Sequence, residues 1–247
     1  MRARYKTIMS SRFYGEGMHP TVRCCAIGLA ILGLGATDAL AAGGAFVVDD
    51  AVIAAPGHCQ VESWVSSADN GQFVAVSQPS CVAELGLPVE LKASFQGRRE
   101  DGEWTAVTGV QAKTVLIPVE PHKIGLGLVG GTAFDVTNGE STLTFINVPV
   151  TIELHDQLHI NLNAGWAFDA VESEHHFIWG GSFEWEFATQ FTAIAEIFGE
   201  TGPQDAPRVQ AGLRYQPVKN IDLDLIYGHN INGENANWIT AGLTVRY

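Results

Sequence analysis

The chain is poor in basic residues, with 14 Lys and Arg against 27 Asp and Glu and a formal net charge of −13. Nucleic acid is excluded as a partner, because neutralising phosphates needs patches of Lys and Arg. Long apolar runs are also missing. The one such run, from Cys24 to Ala36, is about thirteen residues, short of the roughly 20 that a spanning helix needs. Any membrane insertion therefore has to be as a barrel, the other structure that satisfies its backbone polar groups in lipid. No segment repeats convincingly at 3.6 residues. Cysteine is scarce at four residues, and two of these, Cys24 and Cys25, lie in the apolar run.

That run has the parts of a secretory signal. Arg23 precedes it, and Ala39-Leu40-Ala41 supplies the small-x-small pattern for cleavage after Ala41. Met18 fits as the true start, with residues 1–17 as an upstream extension. Removing residues 1–41 takes away five basic residues (14 − 5 = 9) and two acidic ones (27 − 2 = 25). The mature charge is then 9 − 25 = −16, which suits an acidic lumen or acidic surface loops.

What is present is alternation. In the last stretch, Ile239, Ala241, Leu243, Val245 and Tyr247 fall on one face, and Trp238, Thr240, Gly242, Thr244 and Arg246 on the other. Period two means a β-strand. The ending resembles the terminal strand of bacterial outer-membrane barrels, whose final aromatic is part of the signal read by the insertion machinery. Leu243, Val245 and Tyr247 are the residues expected to carry it. Turn signals divide the rest into short, evenly spaced segments. The expected strands lie near 59–66, 72–78, 87–97, 104–116, 123–133, 142–153, 158–168, 175–187, 190–199, 207–215, 221–229 and 237–247. Residues 42–58 are expected as a periplasmic amino-terminal segment, and 59–247 as one all-β, antiparallel, up-and-down transmembrane barrel of about 12 strands.

Pairing registers can be read as well. Asp69-Asn70-Gly71 is a hairpin turn signal, and folding about it opposes residues whose numbers sum to 140. Cys59 and Cys81 meet this rule and are expected to form a disulfide in an oxidising periplasm. Pairing Tyr227 with Ile239 puts Leu223 opposite Leu243 and Ile221 opposite Val245. A one-residue slip would turn each apolar set over.

The segment 175–187 separates a soluble barrel from a membrane one. Phe177, Trp179, Phe183, Trp185 and Phe187 share a face, opposite Gly180, Ser182, Glu184 and Glu186. At about 3.4 Å per residue and roughly 45° tilt, Phe177 to Phe187 spans about 24 Å, close to the apolar band of an outer-membrane barrel. Trp185, Phe187, Phe191, Tyr215 and Tyr247 are expected in one aromatic girdle, and Phe168, Phe177, Trp179 and Tyr227 in the other. Short connections at 154–157, 188–189 and 216–220, against longer polar ones, put both termini on the periplasmic side.

The opening Ala45-Phe46-Val47-Val48-Asp49-Asp50-Ala51, then Gly57 and Gln60-Val61-Glu62, is similar to the start of outer-membrane proteins labelled "MetA-pathway of phenol degradation". Further likeness lies in Glu196, Ala211-Gly212-Leu213-Arg214-Tyr215, Asp222, Asp224 and the closing Gly242 and Arg246. The resemblance implies a transporter-like outer-membrane barrel and carries no catalytic motif.

Inward-facing ionisable residues are expected at Glu90, Lys92, Lys113, Glu153, Glu184, Glu186, Glu196, Arg214, Asp222, Asp224 and Arg246, with Glu196 near Arg214 across adjacent strands. Eight strands are filled by side chains and 16–18 leave a water channel. Twelve lies between, so a polar channel and a plugged interior are both open. His175 and His176 point to opposite faces and do not easily share a metal. Ser141, Ser173 and Ser182 lack a nucleophile context. Gly125, Gly127, Gly130 and Gly131 precede no helix and read as sheet curvature. No enzyme activity, cofactor or metal is expected.

The reading is a passive channel or uptake pore for small molecules in the outer membrane of a Gram-negative bacterium. Its partners would be outer-membrane lipid, the insertion machinery, periplasmic chaperones and a small hydrophobic or cationic solute. A non-transporting structural or surface-interaction barrel is the alternative, and a soluble periplasmic binding module a third.

Overall fold

Period-two alternation becomes a closed wall in the computed structural model. It describes residues 45–201, 207–231 and 237–247, with the backbone alone at 121 and 122. The expected signal segment, its Ala41 cleavage point and Met18 lie outside the described residues. The strands are β1 (Cys59–Ala68), β2 (Phe73–Glu84), β3 (Pro88–Glu100), β4 (Glu103–Ile117), β5 (Ile124–Asp135) and β6 (Ser141–His155). They continue as β7 (Leu158–Asp169), β8 (Glu174–Ala188), β9 (Phe191–Glu200), β10 (Arg208–Val218), β11 (Ile221–Asn230) and β12 (Asn237–Arg246). A single helical turn, α1 (Val119–His122), joins β4 to β5.

Each strand pairs antiparallel with its sequence neighbours, and β12 pairs with β1 to close the barrel. Closure leaves no unpaired sheet edge. The seam runs from Gln60 opposite Arg246 to Ala68 opposite Trp238. At one end Cys59 and Tyr247 exchange backbone hydrogen bonds of 2.9 Å, so β1 starts where β12 stops.

Registers follow the sequence. Cys59 lies opposite Cys81 and the two are joined by a disulfide. The hairpin above them turns at Asn70-Gly71, where Gly71 has φ +85°, a left-handed conformation that costs glycine little. Tyr227 opposes Ile239, Leu223 opposes Leu243 and Ile221 opposes Val245.

The two faces separate cleanly. Phe177, Phe183, Trp185 and Phe187 of β8 and Leu223, Leu225 and Tyr227 of β11 are exposed on the outside. Between them on the inside lie Ser182, Asp222 and Asp224, all buried. Near the end that carries Cys59 and Tyr247, aromatic rings form a chain around the wall. Trp185 to Phe187, Phe187 to Phe191 and Phe191 to Tyr215 have centroids 5.8, 6.1 and 4.9 Å apart. Such a girdle suits the membrane interface, where an aromatic body meets both lipid and water. Trp166, Phe168 and His175 stack toward the opposite end of β7 and β8.

The segment ahead of β1 departs from expectation. Residues 53–58 stay at the barrel end, where the Gly57 amide donates to the Val82 carbonyl. Residues 45–52 do not extend away from the wall as a free periplasmic leader. Phe46, Val48, Asp50 and Ala51 are buried inside the barrel. The reason is the segment's chemistry: apolar side chains gain from leaving water, and its two aspartates find a buried lysine.

Candidate functional site

Residues 45–51 form a strap from one wall to the other. Its backbone amides are held by side chains, with no strand pairing. The Ala51 amide donates to Thr151 Oγ1 on β6 at 2.8 Å, and the Asp49 amide to Asn163 Oδ1 on β7 at 2.9 Å. Asn163 returns a bond from Nδ2 to the Asp49 carbonyl at 2.6 Å. The Val47 and Val48 amides donate to the two carboxylate oxygens of Glu196 on β9, at 3.1 and 3.0 Å. Glu196 accepts a third bond from Gln210 Nε2 at 2.5 Å. Its acceptor capacity suits consecutive N–H groups that a sheet would otherwise satisfy.

The strap side chains are equally matched. Lys113 on β4 bonds Asp49 Oδ1 at 2.7 Å and Asp50 Oδ1 at 2.9 Å. The Arg214 guanidinium lies 5.4 Å from the centre of the Phe46 ring, within cation–π range. Ala45 and Phe46 pack with Ile194, Ile226 and Trp64. The wall also makes room. A Cβ at Gly180 would lie 2.8 Å from Val48 Cγ2, and one at Gly242 would lie 3.0 Å from Ala45 Cβ. Gly125, expected to serve sheet curvature, has a further use, since a Cβ there would lie 2.6 Å from Val119 Cγ2 of α1 and 3.2 Å from Ala51 Cβ.

Two polar clusters flank the strap. In one, Lys92 pairs with Glu62 at 2.6 Å and Glu90 at 3.5 Å. In the other, Arg214 holds Asp224 through two bonds of 2.8 and 3.2 Å. Arg246 reaches Asp222 at 2.5 Å, and Gln216 donates to the same carboxylate at 2.8 Å. Glu184 accepts from Asn161, which also bonds Ser182 and Thr151. At this mouth His159, Glu184, Glu186, Gln216, Asp222 and Arg246 border a cavity of about 60 Å³, far below the roughly 300–1,000 Å³ of a small-molecule site. A larger depression of about 570 Å³ opens on the outward face by Phe183, Ala195, Ala211 and Tyr227, where lipid would fill it.

Glu196, Arg214, Asp222 and Asp224 are buried, while Glu184, Glu186 and Arg246 are partly exposed at the mouth. The register puts Glu196 opposite Gln210 and Arg214 opposite Thr192 and Asp224. Glu153 sits near the barrel end and faces Lys123 at 3.4 Å. His175 stacks outside on Trp166 and Phe168, whereas His176 points in, with Nδ1 at 3.0 Å from the Thr201 carbonyl. Leu243 and Tyr247 are exposed on the outward face, with Val245 partly so.

Sequence reasoning missed the strap and two of its holders, Thr151 and Asn163. The available signal was the composition of residues 45–51, too apolar for a free leader yet carrying two adjacent carboxylates.

The class of protein is a twelve-strand transmembrane barrel with the fold of outer-membrane porins and channels. One similar structure is the KdgM porin in complex with disordered oligogalacturonate, with TM-score 0.60, 12% identity, and 75% of this chain and 98% of that one covered. The COG4313 outer membrane channel from Pseudomonas putida F1 gives TM-score 0.60 at 8% identity, covering 79% and 97%. The NanC porin gives 0.55 at 13%, covering 76% and 98%. At these identities the likeness shows the fold alone. No curated protein matches the chain. Residues 30–247 match the family described as "Uncharacterised conserved protein UCP029691", and the chain belongs to that family.

Proposed function

We propose that the protein is a passive pore of the outer membrane of a Gram-negative bacterium, prefers small cationic solutes, and is narrowed by its own strap. The observation that carries this reading is the charge of the interior. Among the described residues, its buried carboxylates are Asp50, Glu62, Glu90, Asp135, Glu196, Asp222 and Asp224, against Arg98, Lys113 and Arg214 as buried cations. An excess of carboxylates between low-dielectric walls focuses a negative potential and concentrates cations. Of the two solute classes expected from the sequence, hydrophobic and cationic, this charge favours the cationic one. The likeness to phenol-degradation proteins rests on short segments and supports the pore, not a phenol as its cargo.

The outward register of Leu243, Val245 and Tyr247 supports a role in recognition by the insertion machinery. The exposed aromatic band argues against a soluble periplasmic module. The test is single-channel recording from the purified barrel in planar bilayers under a KCl gradient. A reversal potential toward cation selectivity supports the reading. A folded barrel that never conducts, even with its strap removed, would leave the non-transporting structural barrel.

A further inference from the structure

The strap does not divide the lumen alone. At one side it is anchored by Lys113 on β4. At the other, Ala45 packs with Trp64 on β1, and a Cβ at Gly242 on β12 would lie 3.0 Å from Ala45 Cβ. The arc of wall between β12 and β4 is β1, β2 and β3. The ion cluster of Glu62, Lys92 and Glu90 spans this arc at the height of the strap. Glu90 lies opposite Lys113 in the register. Glu62 lies two residues before Trp64, and Trp64 is opposite Gly242. Strap and cluster together make one partition across the lumen.

The two parts of the partition are not equally fixed. The strap is a stretch of backbone held by buried Thr151, Lys113 and Glu196. The cluster is closed by one side chain. Lys92, on a flexible four-carbon stem, bonds Glu62 at 2.6 Å and stands 3.5 Å from Glu90. Its side chain is 13% exposed, against 2% and 5% for the two carboxylates. That exposure is to the lumen. Lys92 points inward with Ser94 and Gln96 along β3 and lies opposite Gln111 on β4, and all four are partly exposed. On the strap side, Asn161, Ser182 and Gln210 are buried. Swinging one ammonium aside disturbs less than lifting the strap, and a small cation that takes its place meets the same two carboxylates.

We infer that solutes cross the partition at the Glu62–Lys92–Glu90 cluster and that Lys92 is the residue that sets their charge selectivity. The inference rests on the reading of the barrel as a cation-preferring pore and locates its filter. With Lys92 in place the cluster carries −2 + 1 = −1. A cation exchanges with the ammonium, whereas an anion has to pass two carboxylates between low-dielectric walls. Charges at the mouth, such as Arg246 and Asp222, lie away from this crossing and weigh less.

The test uses the refolded mature barrel, checked by heat-modifiable mobility. Cys24 and Cys25 are absent from it and Cys59 is joined to Cys81, so an introduced cysteine is the single thiol. Cysteines at Gln96, Gln111 and, as the strap-side control, Ser182 are treated with a cationic methanethiosulfonate and followed by mass. Gln96→Cys and Gln111→Cys are expected to react at least about tenfold faster than Ser182→Cys, since a buried thiol waits for local opening.

In planar bilayers under a KCl gradient, Lys92→Gln should raise the cation-to-anion permeability ratio at least about threefold, and Glu62→Gln, which leaves Lys92 with Glu90, should lower it by about as much. Arg246→Gln removes the same charge from the mouth and should shift the ratio less than Lys92→Gln. If Lys92→Gln does not fold, Glu62→Gln decides. Equal labelling at the three sites, an unmoved ratio in Glu62→Gln, or equal shifts from Lys92→Gln and Arg246→Gln would overturn the inference and leave the pore standing. A folded barrel that never conducts would remove the pore reading, and the inference with it.

Discussion

The wall and the strap are built by different physics. Along the wall, neighbouring strands satisfy each other's backbone, and each side chain needs only to choose lipid or interior. Leu213, Leu223 and Leu225 go out while Arg214, Asp222 and Asp224 go in. The strap has no such partner. Its four amides, two carboxylates and one ring are met by five wall side chains, one each on β4, β6, β7, β9 and β10. The wall is therefore robust to single changes, whereas the strap depends on a few long-range contacts that one substitution can remove.

Removing the strap should have the largest effect on that contrast. Deleting residues 45–52 is expected to raise single-channel conductance several-fold while the barrel keeps its heat-modifiable mobility. Unchanged conductance would mean that the strap does not narrow the path. Lys113→Met comes next. It leaves Asp49 and Asp50 without their buried cation, and breaking such a pair costs about 3–5 kcal/mol. The strap should loosen, and protease cutting near Ala55 and amide exchange at residues 47–51 should speed up, with β1 to β12 unchanged. Protection equal to that of the native chain would count against the pairing as its anchor.

These two regions also differ in how far the sequence revealed them. The alternation in β7, β8, β10, β11 and β12 and the sum rule at Cys59 and Cys81 are local. They survive because a one-residue error would turn a whole face to the wrong side. The strap's hydrogen bonds to the wall join residues 63 to 149 positions apart, such as Val48 with Glu196, and no periodic pattern records them. Glu196 and Arg214 illustrate the limit. Both were legible as inward-facing, but their partners depend on vertical offset, and the register gives Glu196 to Gln210 and the strap and Arg214 to Asp224.

Replacing Cys59 and Cys81 together with serine tests the wall at its seam. In the chain-entropy model the loss is about 3 kcal/mol, so the barrel should still form but unfold at lower temperature or denaturant. An unshifted transition would show that strand pairing alone fixes this hairpin. Tyr247→Ala is expected to slow outer-membrane insertion while secretion continues, read as periplasmic accumulation or degradation. Normal amounts of heat-modifiable outer-membrane protein would argue that the ring is only part of the girdle. The smallest expected effect belongs to Glu184→Gln with Glu186→Gln. The cation-to-anion permeability ratio should fall with folding unchanged, and an unaltered ratio would assign selectivity to carboxylates beyond this mouth.

The central claim is that the strap narrows the lumen from its seat. A Cβ at Gly180 would lie 2.8 Å from Val48 Cγ2, so the two positions are in contact and a pair of cysteines there can be tested as a cross-link. The decisive measurement is single-channel conductance of the Val48→Cys, Gly180→Cys barrel, oxidised and then reduced, beside the native sequence carrying only Cys59–Cys81. The account predicts that the oxidised double variant stays at its lowest conductance level and that reduction restores openings which the control shows throughout. Openings of native size and frequency from the fully cross-linked barrel would contradict it.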